Sequence, residues 1–199
     1  MSSCKIKDAS FIISATSIEN SPAPSVAEVV FVGRSNVGKS SILNTLTNRK
    51  SLAKSSSTPG KTRLINFFDL KVEMNENEYH LRFVDLPGFG YAKVSKSLKD
   101  EWEEALSEFL YKRDSIRLFI QLVDARHEDL KNDIEVEEFL NSIKRADQTI
   151  LKVFTKTDKI KQNDYAKLKN KYKDAMFVSN LSKRGVDELR DAICKVLFL

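Results

Sequence analysis

An eight-residue stretch with two glycines, placed directly after a short apolar run, constrains the fold of this chain more than any other feature. It matches the phosphate-loop pattern G-x-x-x-x-G-K-[ST] in full, with the residues Gly33, Arg34, Ser35, Asn36, Val37, Gly38, Lys39 and Ser40. Residues 29–32 before it are typical of a buried strand, and residues 41–46 after it carry apolar residues at helical spacing. A strand, a tight loop and a helix in this order predict an α/β fold that binds a nucleoside triphosphate.

The residue types in this loop suit the chemistry of phosphate groups. Gly33 and Gly38 allow the backbone to turn tightly, so that successive N–H groups and the helix N-terminus face one anion. Lys39 adds a full positive charge at the β- and γ-phosphates, and the Ser40 hydroxyl can bind Mg²⁺. We therefore expect Lys39 among the catalytic residues and Ser40 among the metal ligands.

The rest of the chain alternates strand-like and helix-like patterns. Strands are predicted at 9–15, 64–72, 79–84, 116–123, 150–154 and 176–178, and helices at 98–111, 133–143, 164–172 and 186–197. The short link between the strands at 64–72 and 79–84 predicts an antiparallel hairpin, and the alternation elsewhere predicts a mostly parallel sheet with helices on both faces. We expect an N-terminal segment 1–22, frayed over its first eight residues and carrying one strand, followed by a single domain at 23–199.

A second phosphate-site motif follows the strand at 79–84 and consists of Asp85, Leu86, Pro87 and Gly88. Open α/β sheets place their ligand sites at the carboxyl ends of strands. Asp85 can hold Mg²⁺ opposite Ser40, and the Gly88 N–H can contact a γ-phosphate.

A third motif follows the strand at 150–154 and can select the base; its residues are Thr155, Lys156, Thr157 and Asp158. A carboxylate at Asp158 accepts from both N1–H and N2–H₂ of guanine, whereas adenine presents an acceptor at N1. Lys156 can lay its aliphatic stem over the base. After the next strand, backbone N–H groups can meet the guanine O6, in the segment Val178, Ser179 and Asn180. The motif favours GTP over ATP.

The polar segment at 55–63 contains Pro-Gly and no hydrophobic periodicity, and it predicts a loop. A second hydroxyl on Mg²⁺, engaged only when a γ-phosphate is present, can come from Thr62 or from Thr58. Spacing does not separate the two threonines.

The charge and the cysteine content of the chain limit the partners, metal sites and cellular location that we expect. The formal net charge of +5 is compatible with a nucleic-acid partner and equally with an ordinary solvated surface. Cys4 and Cys194 have no C-x-x-C or Cys/His spacing, so we expect reduced thiols and no zinc site. No apolar run approaches the roughly 18 residues that span a bilayer. We expect a cytoplasmic monomer without a membrane span.

Together these motifs resemble those of the TRAFAC-class small GTPases, and more closely those of the EngB-type (YihA/YsxC-like) bacterial GTPases. The resemblance is carried by residues 33–40, 58–68, 85–92 and 155–159. That family has T-K-x-D where most GTPases have N-K-x-D, and its P-G-[KR]-T element implies that Thr62 is the Mg²⁺ ligand. One departure is Ser179-Asn180, where the family usually has Ser-Ser.

The resemblance implies a three-layer sandwich, a P-loop GTPase domain with a six-stranded sheet and one antiparallel strand. It implies slow, Mg²⁺-dependent GTP hydrolysis by a switch that acts on a precursor of the large ribosomal subunit, made of rRNA and ribosomal proteins, and that is needed for cell division and septation. It adds nucleotide contacts at Gly60, Lys61, Thr62, Arg63 and Leu64, and catalytic roles for Thr62 and Gly88. For Asn36 it implies a second cation, K⁺, held by the side-chain oxygen; the alternative is that Asn36 only stabilises the loop through hydrogen bonds to the backbone.

Two other functions compete with this interpretation. One is a phosphate-loop ATPase or small-molecule kinase, which Asp158 and the absence of an arginine-rich, lid-like insertion disfavour. The other is a septum-associated scaffold that binds GTP without turnover. Base preference tests the first alternative, and turnover tests the second.

Overall fold

One mixed sheet organises the chain. The structure is a computed structural model that describes residues 4–53, 64–88, 96–128 and 130–199, with the backbone alone for residues 96–103. Within these residues the strands are β1 Lys5–Ala15, β2 Ala27–Gly33, β3 Ile65–Met74, β4 Asn77–Asp85, β5 Ile116–Asp124, β6 Thr149–Thr155 and β7 Met176–Phe177. The helices are α1 Lys39–Leu46, α2 Lys96–Lys112, α3 Lys131–Ile143, α4 Gln162–Lys171 and α5 Val186–Phe198. Every strand and helix predicted from the sequence is present, with bounds that shift by a few residues.

The strand order in the sheet is β1-β3-β4-β2-β5-β6-β7. Strand β3 runs antiparallel to both of its neighbours, β1 and β4, and the other pairs are parallel. The link between β3 and β4 is the predicted tight turn, in which Asn75 and Glu76 both have positive φ values of 52° and 64°. The parallel strands therefore bring their carboxyl ends, and the motifs that follow them, to one edge of the sheet.

Helices cover both faces of the sheet, which confirms the three-layer sandwich. Successive residues of β2 point to opposite faces, because side chains alternate along a strand. Val29 and Phe31 join the core under α1 and α5, and Val30 and Val32 join the core under α2 and α3. These side chains are fully buried, which fits a strand buried on both faces.

Three expectations need correction. The sheet has seven strands rather than the implied six, because β1 pairs with β3 and extends the edge. Pairing in β1 begins at Lys5, so residues 5–8 lie in a strand instead of the expected frayed end. Cys4 and Cys194 form a disulfide instead of two free thiols, because β1 pairing carries the start of the chain against α5, where the two Cα atoms lie 6.3 Å apart. Sequence spacing alone does not reveal a contact across 190 residues.

No helix among the described residues is both long and apolar enough to cross a membrane.

Candidate functional site

The phosphate loop lies at the carboxyl edge of the sheet, between the end of β2 and the start of α1. Gly38 caps α1 with a φ of 103°, a left-handed conformation that glycine adopts without strain. A Cβ atom at Gly38 would lie 3.6 Å from Asn180 Nδ2 and 4.0 Å from Lys156 Cε. The N-terminus of α1 therefore opens toward a space that is bounded by residues of two later loops.

Lys39 and Asp85 meet at this edge as a partly buried ion pair. The Asp85 side chain is 7 % exposed, and Leu86 N donates to Phe31 O at 3.2 Å, which fixes the start of the following loop against β2. Asp85 is thus held next to the lysine that follows Gly38, and Ser40 is the next residue in α1. Lys39, Ser40 and Asp85 therefore belong to one edge of the sheet.

The donor set suits Mg²⁺ rather than a cage of protein ligands. Among the described residues no group of three or more His, Cys, Asp or Glu side chains could hold a metal ion. Mg²⁺ is commonly held by one carboxylate or two, with hydroxyl, water and phosphate oxygens completing the octahedron. Asp85 and Ser40 offer that minimal set, and Thr62, the third expected ligand, lies outside the described residues.

Gly88 lies against the phosphate loop. A Cβ atom at this position would come within 2.7 Å of both Ser35 N and Ser35 Oγ, so any larger residue would push the two loops apart. This close approach explains the need for glycine after Pro87. Of the remaining expected contacts, Leu64 is partly exposed just before β3, and Gly60, Lys61 and Arg63 lie outside the described residues.

The third motif is hydrogen-bonded directly to the phosphate loop. The fully buried Thr155 donates from Oγ1 to Val37 O at 2.7 Å. Lys156 has a left-handed φ of 56°, and its ammonium group donates to Asn36 O. Two successive residues of the motif therefore bond two successive carbonyl groups of the phosphate loop, and the two elements form one site.

Asp158 is held in position by a serine from the loop after β7. Ser179 Oγ donates to Asp158 Oδ1 at 2.6 Å, and the Ser179 hydroxyl in turn accepts from Ser182 N at 3.1 Å. The hydrogen bond from Ser179 lowers the pKa of Asp158 and outweighs the opposing effect of burial. Asp158 is therefore ionised near neutral pH. Oδ1 keeps a second lone pair beside the Ser179 bond, and Oδ2 has the Lys159 ammonium group 3.8 Å away, so both oxygens can accept from a ligand.

The comparisons with known proteins agree on one family. A family model described as a 50S ribosome-binding GTPase matches residues 28–180. A probable GTP-binding protein EngB from Aliarcobacter butzleri is 57 % identical over 196 residues, covering 97 % of this chain and 98 % of that protein. This chain belongs to the EngB family. A Campylobacter jejuni protein of the same name is 53 % identical over 188 residues, covering 94 % and 95 % of the two chains.

A solved structure is also similar to this EngB family member. Era in complex with MgGDPNP and nucleotides 1506–1542 of 16S ribosomal RNA aligns with a TM-score of 0.62 and 30 % identity. The alignment covers 86 % of this chain and 57 % of the Era chain. Membership of the EngB family supports GTP binding and GTP hydrolysis, and it implies Mg²⁺ as the cation that accompanies GTP.

Asp124, at the end of β5, is a residue of the EngB site that the sequence motifs do not reveal. Its Oδ2 accepts from Lys156 Nζ at 2.9 Å and from Arg126 Nη2 at 2.7 Å, and its Oδ1 accepts from Arg126 Nε at 2.9 Å. Burial alone would raise the pKa of Asp124, but the hydrogen bonds from Arg126 and Lys156 outweigh it and hold the pKa well below its usual range. The one available signal was its place as the first polar residue after a buried strand.

A cavity of about 300 Å³ lies beside the phosphate loop of this EngB chain. It is lined by Arg34, Ser35, Asn36, Val37, Asp124, Arg126, His127 and Lys156. Arg34 extends from the loop to α3, where its Nε lies 3.2 Å from Asp133 Oδ2. Burial raises the pKa of Asp133, and the charge of Arg34 opposes this effect only in part. The pair connects the loop to α3.

Fewer backbone N–H groups than expected are available to the guanine O6 in the segment Val178, Ser179 and Asn180. Val178 N donates to Phe154 O at 2.8 Å, and Ser179 N donates to Arg184 O at 2.9 Å. Both N–H groups are thus engaged inside the protein, and Asn180 alone of the three keeps a backbone donor for a base. The Ser179 side chain instead contributes through Asp158.

Proposed function

We propose that this EngB family member is a slow GTPase switch that acts in assembly of the large ribosomal subunit. The observation that carries the proposal is the pair of hydrogen bonds from Thr155 and Lys156 to the carbonyl groups of Val37 and Asn36. Because of these bonds, the group that reads the base and the loop that holds the phosphates move as one unit. A guanine nucleotide fits both parts at once.

Each side chain has a definite task in this proposal. Backbone N–H groups of residues 33–40 and the Lys39 ammonium group hold the phosphates, and Asp158 accepts from the two donors on the guanine edge. Mg²⁺, held by Ser40, Asp85 and Thr62, neutralises charge on the phosphate oxygens. Gly88, which lies against Ser35, reports the γ-phosphate to the loop that follows it.

Hydrolysis by the isolated protein is proposed to be slow. Phe89 follows the Asp85–Gly88 motif, where Ras-like enzymes have the glutamine that orients the attacking water, and a phenylalanine ring forms no such hydrogen bond. Phe89 lies outside the described residues, so this step rests on the sequence. We expect single-turnover rates at or below the order of 10⁻³ s⁻¹.

Asn36 offers a second means of stabilising charge in the transition state. Its side chain is exposed beside the phosphates, and its oxygen can help hold K⁺ there. Its φ of 63° gives the other explanation, since asparagine tolerates a left-handed turn better than most residues. Single-turnover hydrolysis in KCl and in NaCl at equal ionic strength tests both proposals. If turnover is faster in KCl and Asn36→Gly abolishes the difference, the result supports K⁺ binding by Asn36. Equal rates in the two salts would mean that Asn36 serves only as a turn residue.

The ribosomal partner is supported by the description of the matching family and by Era, which is bound to ribosomal RNA in its structure. Exposed lysines on and after α4, among them Lys167, Lys169 and Lys173, supply a basic surface for an RNA backbone. We propose that ribosome assembly takes place with this protein in the cytoplasm. Loss of the protein would disturb that assembly, and defects in cell division and septation would follow. GTP-dependent, salt-sensitive co-sedimentation with large-subunit particles is expected. Co-sedimentation that does not depend on nucleotide or on salt would contradict a GTP-controlled switch.

A further inference from the structure

The third motif leaves one edge of the base without a donor from its own residues. The Thr155 hydroxyl donates inward to Val37 O, and Thr155 is fully buried. Thr157 N donates to Val178 O at 3.3 Å, and Thr157 is also buried. Asp158 offers only acceptors. A guanine base, however, presents two adjacent acceptors, O6 and N7, on its Hoogsteen edge, opposite the donors that Asp158 accepts from.

Asn180 has two donors that nothing in the described part of the chain uses. Its backbone N–H has no acceptor there, in contrast to the N–H groups of Val178 and Ser179. Its side-chain Nδ2 also lacks an acceptor among these residues, and its Oδ1 is buried without a hydrogen-bond partner. The two donors are therefore available to an acceptor on a ligand, whereas Oδ1 is itself an acceptor and cannot bond O6 or N7.

The Asn180 side chain is placed where a bound base has to enter. Its Nδ2 lies 3.6 Å from the point that a Cβ atom of Gly38 would occupy, and Lys156 Cε lies 4.0 Å from the same point. The Lys156 stem and the Asn180 amide therefore both lie close to Gly38 of the phosphate loop. Ser179, the residue before Asn180, bonds Asp158 and so fixes the distance between the acceptor and the two donors.

We propose that the Asn180 side chain reads the Hoogsteen edge of guanine, with Nδ2 donating to N7 beside the backbone N–H already expected at O6. The inference rests on the guanine-nucleotide site proposed above and adds a specificity-determining residue to it. A serine at this position, as in most of the resembling family, keeps the backbone donor but has a shorter side chain without an amide. In this chain the carboxamide takes over a contact that the buried Thr155 hydroxyl cannot make.

The experiment compares GDP with 7-deaza-GDP, in which a C–H group replaces N7 and the other edge atoms are unchanged. Equilibrium titration of the wild-type protein should show about five- to tenfold tighter binding of GDP, the size of one hydrogen bond. Asn180→Ser should bind the two nucleotides within about twofold of each other. Its affinity for 7-deaza-GDP should stay near that of the wild type, because the lost bond involves N7 alone.

The control variant is Asn170→Ser, which changes an exposed asparagine on α4 and should keep the wild-type ratio. The proposal fails if the wild-type protein binds both nucleotides equally, or if Asn180→Ser retains the preference for GDP. Neither outcome affects the proposed GTPase function, which fails separately if the wild-type protein does not bind GDP. Because the wild-type ratio is measured without any substitution, a misfolded variant does not prevent a decision.

Discussion

Asp124 shows how a single carboxylate can join two parts of a nucleotide site. It is 3 % exposed and bonds Lys156, which itself bonds the Asn36 carbonyl of the phosphate loop. The same carboxylate holds Arg126 at the edge of the neighbouring cavity. We therefore expect Asp124 to act as a positioning residue, since it keeps the Lys156 ammonium group at the phosphate loop, and with it the aliphatic stem that is proposed to cover the base.

Replacing Asp124 tests this role. Asp124→Asn removes the charge that holds Lys156, and about tenfold faster dissociation of a fluorescent GDP analogue is expected. The preference for guanine over xanthine should persist, because Asp158 is unchanged. Asp187→Asn alters an exposed carboxylate paired with Arg190 and should leave the rate unchanged. An unaltered dissociation rate in Asp124→Asn would show that Lys156 does not need this partner.

The site residues that the sequence predicts lie in short, spaced motifs. Lys39, Asp85 and Asp158 each follow a strand in a pattern whose chemistry requires that residue type. Asp124 and the Asn180 side chain were missed, because their roles arise from partners that lie far away along the chain. Asp124 is 32 residues from Lys156, and no local pattern records that contact.

At the scale of elements, a buried ion cluster ties the end of α2 to the sheet, at the edge opposite the nucleotide site. Glu28 at the start of β2 is fully buried and accepts from Arg113 Nε at 2.8 Å and from Arg82 Nη1 at 3.2 Å. Arg113, which follows α2, also lies over the rings of Phe67 and Phe109. One carboxylate therefore joins β2, β4 and the end of α2.

Glu28→Ala should reduce the free energy of unfolding by about 3–5 kcal/mol, because it leaves the buried Arg113 guanidinium group without its carboxylate partner and removes one of the two carboxylates that Arg82 bonds. Urea denaturation followed by circular dichroism measures the change. Glu138→Ala, at an exposed position in α3, should stay within about 0.5 kcal/mol of the wild type. A loss below about 1 kcal/mol in Glu28→Ala would mean that the cluster contributes little to stability.

The fold could be predicted where the hydrophobic periodicity of the sequence was strong. It could not be predicted where it depends on contacts between segments that are far apart in the sequence. The hairpin of β3 and β4 followed from a short link, and α5 followed from apolar spacing at Leu189, Ile193 and Val196. The placement of β1 beside β3 was not predictable, because an edge strand carries no mark of its partner. The division of the chain after residue 22 stays a prediction.

At the scale of the whole molecule, the Cys4–Cys194 disulfide connects the first strand to the last helix. It closes a loop over a sequence separation of 190 residues, and closing a loop of that length restricts the unfolded chain strongly. Helix α5 also packs on α1, which begins at the phosphate loop. The disulfide is therefore expected to stabilise the fold as a whole rather than one local turn.

Reduction of the protein should lower the free energy of unfolding by roughly 2–5 kcal/mol, and Cys4→Ser should reproduce this loss without reductant. Denaturation with and without dithiothreitol measures it, and Cys4→Ser serves as its own control because added reductant should not change it further. Mass spectrometry of the air-exposed protein that finds two free thiols would contradict the disulfide.

Dissociation constants for GDP, ADP and XDP test most directly whether this chain binds guanine nucleotides through Asp158. The wild-type protein should prefer GDP over ADP by at least about a thousandfold, because adenine offers no donors to the Asp158 carboxylate at these positions. Asp158→Asn should weaken GDP binding and shift the preference toward XDP, whose 2-oxo group accepts from the amide. Equal binding of GDP and ADP by the wild type, or undiminished GDP binding by Asp158→Asn, would contradict the account.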